Sequence, residues 1–437
     1  MNFSYDVIVI GGGPAGATCA LILARQGFKV CVLEKSIHPR FHIGESILPR
    51  TTPLLKELNL HEQVMKLPHL PKFGAEFGFG DNFKTMKFSF SDGLLPGFPV
   101  FNIERSHLDK LLIDEARNAG ATVFENTTVK KLNRLEDGAV EIATSDQIFT
   151  GSILMDASGH GTIVGRHLGT RKSVDPRLQK VAYFEHFENV ERLFGDQQGH
   201  PGIIMTKEGW FWLIGLNETT TSIGFISEPT LSKQVNVAPD RMLQWAIARC
   251  PVVKHRMRAA KGPSENQVLA DFSYTCAPYA GPGYFLIGDA GCFLDPIFST
   301  GVTLAMIGAN EAAKLAAAIL KKEISPEIAQ AKYRKFVTGS TGIFWRLIRN
   351  YYRHTFRELF MNGTGPMQVH KAVISILAGQ VFPKPIWALR WRLRLFELCM
   401  WMQQYVSMVP RYPVFSLLDQ KSEQLSTPAA GALHGSA

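Results

Sequence analysis

Residues 5–16 constrain the fold more than any other stretch of the chain. They open with a short β-branched run, Val7–Ile10, of the kind that forms a strand buried on both faces. Three glycines follow in the spacing G-x-G-x-x-G: Gly11, Gly13 and Gly16. The next residues predict a helix over 17–26 and a second strand over 29–33.

Glu34 ends the second strand, 23 residues after Gly11. Gly11 allows a tight turn, Gly13 lets the backbone approach a pyrophosphate, and Gly16 lets the helix pack on the strand. The helix N-terminus then faces the phosphates, and Glu34 can accept a hydrogen bond from a ribose hydroxyl. This context indicates a dinucleotide site. The alternative is a tight strand–helix turn that binds nothing.

Size and composition suggest a globular enzyme. At 437 residues the chain exceeds one ordinary core, so two or three subdomains are expected. No run of eighteen apolar residues occurs, and we therefore expect no membrane-spanning helix. The N-terminus leads into the first strand without a signal peptide, and the six cysteines lack metal or C-x-x-C spacing, which favours a cytoplasmic protein. The histidines form no metal-binding pattern, so no catalytic metal is expected.

The formal net charge of +9 is a basic bias. It fits an acidic partner, a membrane surface or nucleic acid. The dinucleotide site and the lack of a nucleic-acid-binding module argue against nucleic acid.

Patterns along the chain predict three units and a tail. Aromatic residues alternate with polar ones after residue 72, which predicts strands that contribute to a substrate cavity over 72–103. The predicted units are a dinucleotide-binding domain (1–175 and 265–335), a β-rich substrate domain (176–264), a helical region (336–418) and a disordered tail (419–437).

A second candidate cofactor-binding segment lies far along the chain, at Gly288-Asp289-Ala290. An aspartate that follows a buried strand can bond sugar or ribityl hydroxyls, although it can also simply cap a helix. Together with the glycine motif, Glu34, Arg105 and Asp156-Ala-Ser-Gly159, it resembles the FAD-binding fold of the aromatic hydroxylase superfamily. The resemblance covers most of residues 1–335 and implies an α/β fold: a Rossmann-like FAD domain, an inserted β-rich domain and a helical C-terminal segment.

Three further segments resemble those of the flavin-dependent halogenases of the pyrrole and phenol type. They are Gly44-Glu-Ser-Ile-Leu-Pro49 with Pro71-Lys-Phe-Gly-Ala75, Trp210-Phe-Trp-Leu-Ile214, and Phe293-Leu-Asp-Pro-Ile-Phe-Ser-Thr-Gly301. The resemblance implies FAD as cofactor and chloride or bromide as substrate. The implied FAD-binding residues are Gly11, Gly13, Pro14, Ala15, Gly16, Glu34, Lys35, Arg40, Ser46, Arg105, Asp289, Pro296 and Gly301.

The turn after Pro296 places backbone amides at a predicted helix start, which is a natural anion site. On the family resemblance, halide is bound by Ser299, Thr300 and Gly301. The alternative is a helix cap that faces a phosphate or the flavin.

Lys72 is stiffly placed by prolines at 68 and 71 and by Gly74. In a partly desolvated pocket a lysine has a tunable pKa and three donors. The resemblance implies that Lys72 hydrogen-bonds hypohalous acid, or forms a haloamine, and presents the halogen to substrate. Taken without the resemblance, a lysine here is more often a solvated loop residue.

Trp210 and Trp212 alternate on a predicted strand, so both face one side. The resemblance implies a wall between flavin and substrate, and core packing is the alternative. Gly215 departs from the family pattern, which usually has proline there. Glu45 is either an acid beside the flavin or a residue that shapes its loop.

Arginines and aromatic residues interleave near helical spacing in the C-terminal region, around 345–357 and 387–401. Such stripes are usually a solvated face. They also suit an acidic acyl carrier protein, or a basic amphipathic helix on a membrane surface.

These observations predict a two-component halogenase. A separate flavin reductase supplies reduced FAD, because the chain has no second nucleotide fingerprint. Hypohalous acid then halogenates an electron-rich phenol or pyrrole. The alternatives are a FAD monooxygenase or isoprenoid-type reductase of the same fold, and a flavoprotein that turns over no substrate of its own.

Overall fold

The computed structural model describes residues 2–95, 97–262, 266–270, 272–363, 365–382 and 384–420. Its mixed α/β architecture confirms the predicted fold class, with a largely parallel sheet, a large β-rich layer and helices at the C-terminal end. Of the tail predicted to be disordered, residues 421–437 lie outside the described residues.

A six-stranded sheet is built around Val7–Ile10, whose four side chains are all buried, as the β-branched run predicts. Its strands pair in parallel except at the edge pair Ala280–Gly281 and Tyr284–Leu286. In spatial order the strands are Ala280–Gly281, Tyr284–Leu286, Ile153–Asp156, Val7–Ile10, Val30–Leu33 and Thr122–Phe124. The carboxyl ends of the parallel strands meet at one edge, and this edge carries the ligand site in folds of this kind.

Helices Pro14–Ala24, Arg105–Asn118 and Gly301–Leu320 pack together beside this sheet. The first begins three residues earlier than predicted because Pro14 suits the first helical turn, where no amide donor is needed. Gly301–Leu320 is long and apolar enough to cross a membrane by length and composition. It packs on Pro14–Ala24 and is mostly buried, so it serves as a core helix of this fold.

A seven-stranded sheet forms the β-rich layer. In spatial order its strands are Gln267–Leu269, Val181–Glu188, Thr220–Ser227, Gly209–Gly215, Gly202–Met205, Gly74–Phe79 and Asn82–Ser89. The pairs are antiparallel except for Gly202–Met205 with Gly74–Phe79. Strands from 74–89 thereby extend the sheet that the predicted substrate domain supplies.

Smaller elements surround these two sheets. The smaller sheets are Asn2–Ser4, Ile148–Gly151, Ala139–Ala143 and Lys131–Glu136; Lys172–Ser173, Tyr274–Thr275 and Cys292–Phe293; and His69–Lys72 with Val100–Ile103. The short helices are Thr51–Glu57, His61–Val64, Ile163–His167, Leu231–Gln234, Met242–Arg249 and Pro251–Arg256. Met242–Arg249 and Pro251–Arg256 are separate helices because Pro251 forces the preceding Cys250 into an extended conformation.

The C-terminal helices are Pro326–Tyr351, His354–Met361, Val369–Leu377 and Trp387–Tyr405. Their apolar faces join the same hydrophobic core as the strand Val7–Ile10 and the helix Gly301–Leu320. The helical character predicted for this region is confirmed. The domain boundaries at 175, 264 and 335 stay predictions.

Candidate active site

The glycine loop at the end of Val7–Ile10 has the geometry that its sequence predicts. Gly11 has a φ of +98°, in the left-handed region that favours glycine. A Cβ on Gly16 would lie 1.9 Å from the carbonyl oxygen of Gly11, so only glycine allows the helix to approach the strand. Gly13 caps the helix start, and there a Cβ would meet only Arg40 Nη2, at 3.5 Å. The helix N-terminus is therefore open to a ligand.

Glu34 closes this loop from the neighbouring strand. Its Oε2 accepts a hydrogen bond from the Gly12 amide at 2.7 Å, and its Oε1 accepts one from the Ser36 amide at 2.9 Å. Each carboxylate oxygen keeps a further acceptor site. A ribose hydroxyl can therefore still donate to Glu34, and that role stays a prediction.

A buried carboxylate, Asp109, holds two predicted cofactor residues beside the loop. Arg105 donates to Asp109 through Nε at 2.8 Å and Nη2 at 2.9 Å, a bidentate pair, and Arg40 Nη1 donates at 3.3 Å. Arg105 Nη1 also donates to the Ile43 carbonyl at 2.6 Å. Asp109 was missed by the sequence interpretation, although its i,i+4 spacing from Arg105 was a usable signal.

Asp289 lies where the last parallel strand ends, in the short turn Gly288–Ala290. Desolvation raises the pKa of its carboxyl to about 6, against the opposing effect of Arg105. A Cβ on Gly301 would lie 4.0 Å from Asp289 Oδ1, so the two predicted cofactor residues are neighbours. Asp156 has a structural role, because both of its oxygens accept backbone amides, from Ser158 and Val164.

The predicted halide loop forms the start of helix Gly301–Leu320. Pro296–Phe298 is a single tight turn, and Ser299 follows it with a φ of +53°. Thr300 is the buried N-cap residue, and its side chain makes no capping hydrogen bond. Backbone amides and the helix dipole favour an anion at such a start.

Lys72 is brought into the same region by strand pairing. His69–Lys72 pairs with Val100–Ile103, and on the other side of that strand the loop around Glu45 and Ser46 also bonds to it. Lys72 is 3% exposed, and its Nζ donates to Ser46 Oγ at 2.9 Å and to the Ile47 carbonyl at 3.0 Å. Both acceptors are neutral. Burial therefore lowers the pKa of Lys72 to about 7.

Glu45 is buried and contacts His186 of strand Val181–Glu188, with 2.5 Å between Oε1 and Nε2. Burial alone would lower the pKa of His186, but the hydrogen bond and charge of Glu45 outweigh it and raise that pKa. His186 was missed by the sequence interpretation because it is 141 residues from Glu45 and carries no local motif. Of the two roles left open for Glu45, the carboxylate at least fixes its loop against the seven-stranded sheet.

Trp210 and Trp212 are buried on one face of strand Gly209–Gly215, with ring centroids 6.2 Å apart, as their alternation predicts. Trp212 donates through Nε1 to Ser222 Oγ at 3.1 Å, and its ring lies 5.7 Å from Phe184. Trp210, Trp212 and Phe184 therefore form a contiguous aromatic layer on the seven-stranded sheet.

Trp210 is tied to the halide loop through the C-terminal helices. Its Nε1 donates to the Tyr352 hydroxyl at 3.2 Å, and that hydroxyl donates to Asp295 Oδ2 at 2.8 Å. Asp295 Oδ1 in turn accepts the Ile297 amide at 2.9 Å. Burial raises the pKa of Asp295 to about 6. Tyr352 was missed by the sequence interpretation.

The donors present fit FAD. Gly13 leaves the helix start uncovered, Arg40 and Arg105 supply positive charge beside it, and Asp289 offers an acceptor at the neighbouring strand end. A family model described as FAD binding domain matches residues 4–333.

Among proteins with this FAD-binding domain, the chain is similar to curated halogenases and to a solved halogenase structure. The 1H-pyrrole-2-carbonyl-(peptidyl-carrier protein) chlorinase of Pseudomonas fluorescens is 27% identical, in an alignment that covers 87% of this chain and 90% of that protein. The solved structure of the flavin-dependent brominase Bmp2 has a TM-score of 0.80 and 26% identity, and covers 92% of this chain and 99% of that one. The flavin-dependent halogenase armH4 of Armillaria mellea is 30% identical, covering 81% of this chain and 74% of that protein.

This chain belongs to the flavin-dependent halogenases. It is a FAD-dependent oxidoreductase, and the recognition made from its motifs is confirmed.

Gly215, at which the family resemblance leads us to expect proline, lies in a crowded position. A Cβ there would lie 2.7 Å from Leu70 Cδ2 and 2.9 Å from Arg192 Nη1. Arg192 is anchored by the carbonyls of Asn217 and Glu218. Leu70 and Arg192 therefore occupy the space into which a side chain at this position would extend.

Asn102 holds the backbone at Gly215 in place through its side chain. Its buried side chain donates to the carbonyls of Gly199 at 2.8 Å and Gly215 at 3.0 Å. Asn102 lies on the strand that pairs with His69–Lys72. It therefore links the backbone at Lys72 to the strand Gly209–Gly215, which carries Trp210 and Trp212.

Two predicted cofactor residues lie outside the cluster beside the glycine loop: Ser46, which accepts from Lys72, and Lys35. The side chain of Lys35 is exposed beyond Glu34 and is not part of the Arg40–Asp109–Arg105 cluster. Within the described ranges, no group of three histidine, cysteine, aspartate or glutamate side chains is arranged to hold a metal ion. The individual roles of the site residues in this halogenase stay predictions.

Proposed function

We propose that this protein is a two-component halogenase of electron-rich aromatics. A separate flavin reductase supplies reduced FAD, oxygen is the oxidant, and chloride or bromide is converted to hypohalous acid. When bound in its reduced form, FAD supplies the oxygen activation and the two-electron oxidation of halide. The chain's own residues bind halide, hold the halogen and keep the aromatic substrate apart.

Halide binding is assigned to the turn before helix Gly301–Leu320. Thr300 and Gly301 stand at the positive end of this long helix, and Ser299 precedes them with its amide donating to the Pro296 carbonyl at 3.1 Å. Thr300 is buried, so an anion held there would be shielded from bulk water. Asp295 caps this turn: its Oδ1 accepts the Ile297 amide and its Oδ2 accepts the Tyr352 hydroxyl, so both carboxylate oxygens have partners within the protein.

The burial of Lys72 between neutral acceptors carries the proposal. Burial lowers its pKa to about 7, so the neutral amine is accessible near neutral pH. A neutral amine can attack the halogen of hypohalous acid, so that an N–halogen bond forms, the oxygen–halogen bond breaks and water leaves. The aromatic carbon then takes the halogen from nitrogen, the ring loses a proton, and the amine is regenerated. Alternatively the charged amine hydrogen-bonds hypohalous acid and polarises it.

The layer of Trp210 and Trp212 supports a separation between the flavin side and the substrate side. Both rings are buried and fixed by hydrogen bonds from their indole nitrogens, so they form a rigid wall. Such exclusion of side reactions is what a protein adds to cofactor chemistry. We therefore propose a phenol or pyrrole as substrate, on the side of Lys72.

A carrier-bound substrate is part of this proposal, because a relative acts on a pyrrole held by a peptidyl-carrier protein. The acidic surface of a carrier would suit the basic bias of this chain, with its net charge of +9. The test offers the same pyrrole carboxyl group free and carrier-bound. If both forms are halogenated equally, the carrier has no role.

The decisive experiment combines the protein with a flavin reductase, FAD, NADH, oxygen, and chloride or bromide. Mass spectrometry of phenol and pyrrole substrates should reveal products with the halogen isotope pattern. The Lys72→Met variant should lose halogenated product while it keeps bound FAD. Hydroxylated or saturated product in place of halogenated product would support the monooxygenase or isoprenoid-type reductase alternative instead.

A further inference from the structure

One face of the helix Trp387–Tyr405 is exposed and rich in aromatic and apolar side chains. Trp387 is 75% exposed, Trp401 is 56% exposed and Tyr405 is 70% exposed. We call this face the aromatic–basic stripe. Its exposed members are Trp387, Arg390, Arg394, Leu398, Trp401, Met402 and Tyr405.

The spacing of the stripe places all seven side chains on one side of the helix. At 3.6 residues per turn they fall within an arc of about 120°, and the stripe is about 27 Å long. The opposite side is also apolar, and it is buried in the core through Leu389, Leu393, Phe396 and Met400. The hydrophobic core covers one apolar face of this helix. The other apolar face, the aromatic–basic stripe, is covered by none of the described residues.

Exposed apolar side chains concentrate in this part of the molecule. Ten of the nineteen large hydrophobic side chains that are exposed in the described part of the chain lie between residues 386 and 418. Single exposed hydrophobic residues are normal, whereas contiguous patches of this kind mark interaction sites.

The charge on the stripe has one sign. Arg390 and Arg394 are its charged members, and both are exposed. Glu397 is the acidic residue of the same helix, and it accepts hydrogen bonds from Arg346 and Asn350 of helix Pro326–Tyr351. Its charge is thereby neutralised away from the stripe.

We propose that the aromatic–basic stripe docks on the surface of an anionic lipid bilayer. Tryptophan and tyrosine rings favour the boundary between headgroups and acyl chains, and arginines attract anionic headgroups. A helix with aromatic, leucine and methionine side chains on its outer face would lie in the plane of that boundary.

Two other occupants fit the stripe less well. An acidic carrier protein would be recognised mainly by charge, but five of the seven side chains are aromatic or apolar. A second copy of this chain, paired stripe to stripe, would bury Arg390 and Arg394 in the interface, and the stripe has no acidic side chain to pair with them.

The test is sedimentation with phosphatidylcholine vesicles, with and without phosphatidylglycerol, using the FAD-loaded full chain. We expect binding to the anionic vesicles that weakens in high salt. The double variant Arg390→Gln/Arg394→Gln should lose about 25-fold in affinity for anionic vesicles, at roughly fivefold per arginine. The triple variant Trp387→Ser/Trp401→Ser/Tyr405→Ser should lose at least about tenfold on either vesicle.

Phe194→Ser is the matched control, because Phe194 is 89% exposed and lies far from the stripe in sequence. It should bind vesicles like the unaltered protein. Bound FAD absorbance and circular dichroism confirm that each variant is folded. The proposal is overturned if vesicles do not bind the unaltered chain, if the triple variant binds them equally well, or if it loses only carrier binding or self-association. Halogenation in vesicle-free solution is measured separately, so this docking and the proposed reaction can fail independently.

Discussion

Lys72 is the side chain on which the proposed chemistry depends, and its acidity decides between two modes of action. If the neutral amine accepts the halogen, the rate of halogenation should rise between pH 6 and 8, with a midpoint near the pKa of about 7. The measurement is single-turnover product formation from added hypohalous acid, which removes the flavin steps. Hypohalous acid also loses a proton near this range, so each rate is compared with that of Lys72→Met at the same pH. A ratio that falls over the range would show that the charged amine acts as a hydrogen-bond donor. Lys72→Met should lose at least about 100-fold of this rate at every pH.

Tyr352 is a positioning residue whose hydroxyl joins the tryptophan wall to the halide loop. Tyr352→Phe leaves the indole of Trp210 without its acceptor and Asp295 Oδ2 without its donor. We expect a loss of about 1–3 kcal/mol in the free energy of unfolding, because a buried carboxylate loses its partner. The KM for halide should rise more than kcat falls. The adjacent Tyr351→Phe is the matched control, since the buried Tyr351 hydroxyl has no hydrogen-bond partner among the described residues. It should neither lower the free energy of unfolding nor raise the KM for halide. Equal effects of the two variants would contradict the role of Tyr352.

The glycine loop and its helix can be tested as one element, because two of its glycines serve different purposes. Gly16→Ala places a Cβ 1.9 Å from the Gly11 carbonyl, so the helix must move and the protein should fail to fold. Gly13→Ala meets only the end of Arg40, at 3.5 Å, so the fold should survive. FAD affinity should nevertheless fall by at least about tenfold, because the methyl group occupies the face that the pyrophosphate approaches. Calorimetry of the FAD-free protein and a flavin titration separate the two effects. Unchanged FAD affinity in Gly13→Ala would place the pyrophosphate elsewhere.

The strand Gly209–Gly215 can be tested at Gly215, where the family resemblance leads us to expect proline. Gly215→Ala introduces a Cβ within 3 Å of Leu70 and Arg192. Because Leu70 is buried and Arg192 is held by two carbonyls, we expect a cost of about 1–3 kcal/mol in unfolding free energy. Removing the obstruction, as in Gly215→Ala/Arg192→Ala, should recover part of the cost. Gly339→Ala is the control, since it lies in an exposed helix interior with open space around it and should stabilise slightly. If Gly215→Ala is as stable as the unaltered protein, the packing does not explain the departure.

Across the whole molecule, local sequence signals predicted the fold far better than the contacts that complete the site. The strand Val7–Ile10 and its glycine loop follow from neighbouring residues, and so does the alternation of Trp210 and Trp212. The contact of Glu45 with His186 spans 141 residues, and that of Trp210 with Tyr352 spans 142. Such pairs depend on how sheets and helices pack, which no local pattern encodes. The roles of the predicted halide and cofactor residues stay predictions for a different reason, because a role depends on a bound group.

The buried lysine also makes a prediction about the stability of the whole protein. The pKa of Lys72 is about 7 in the folded chain, below its ordinary value of 10.5. Between these values the unfolded chain binds a proton at Lys72 that the folded chain does not, so the contribution of Lys72 to stability rises with pH. The six buried cysteines act in the opposite direction, because burial raises their pKa values and the unfolded chain loses those protons first. The quantity to compare is therefore the difference in unfolding free energy between the FAD-free protein and FAD-free Lys72→Met. From pH 7 to 8.5 this difference should shift in favour of the unaltered protein, by up to about 1.4 kcal/mol per pH unit. Denaturant unfolding of both proteins at several pH values measures it. Lys72→Met should be the more stable of the two at pH 7, because no charge has to be desolvated. Equal pH dependence of the two proteins would show that Lys72 is not the strained base on which the proposed reaction depends.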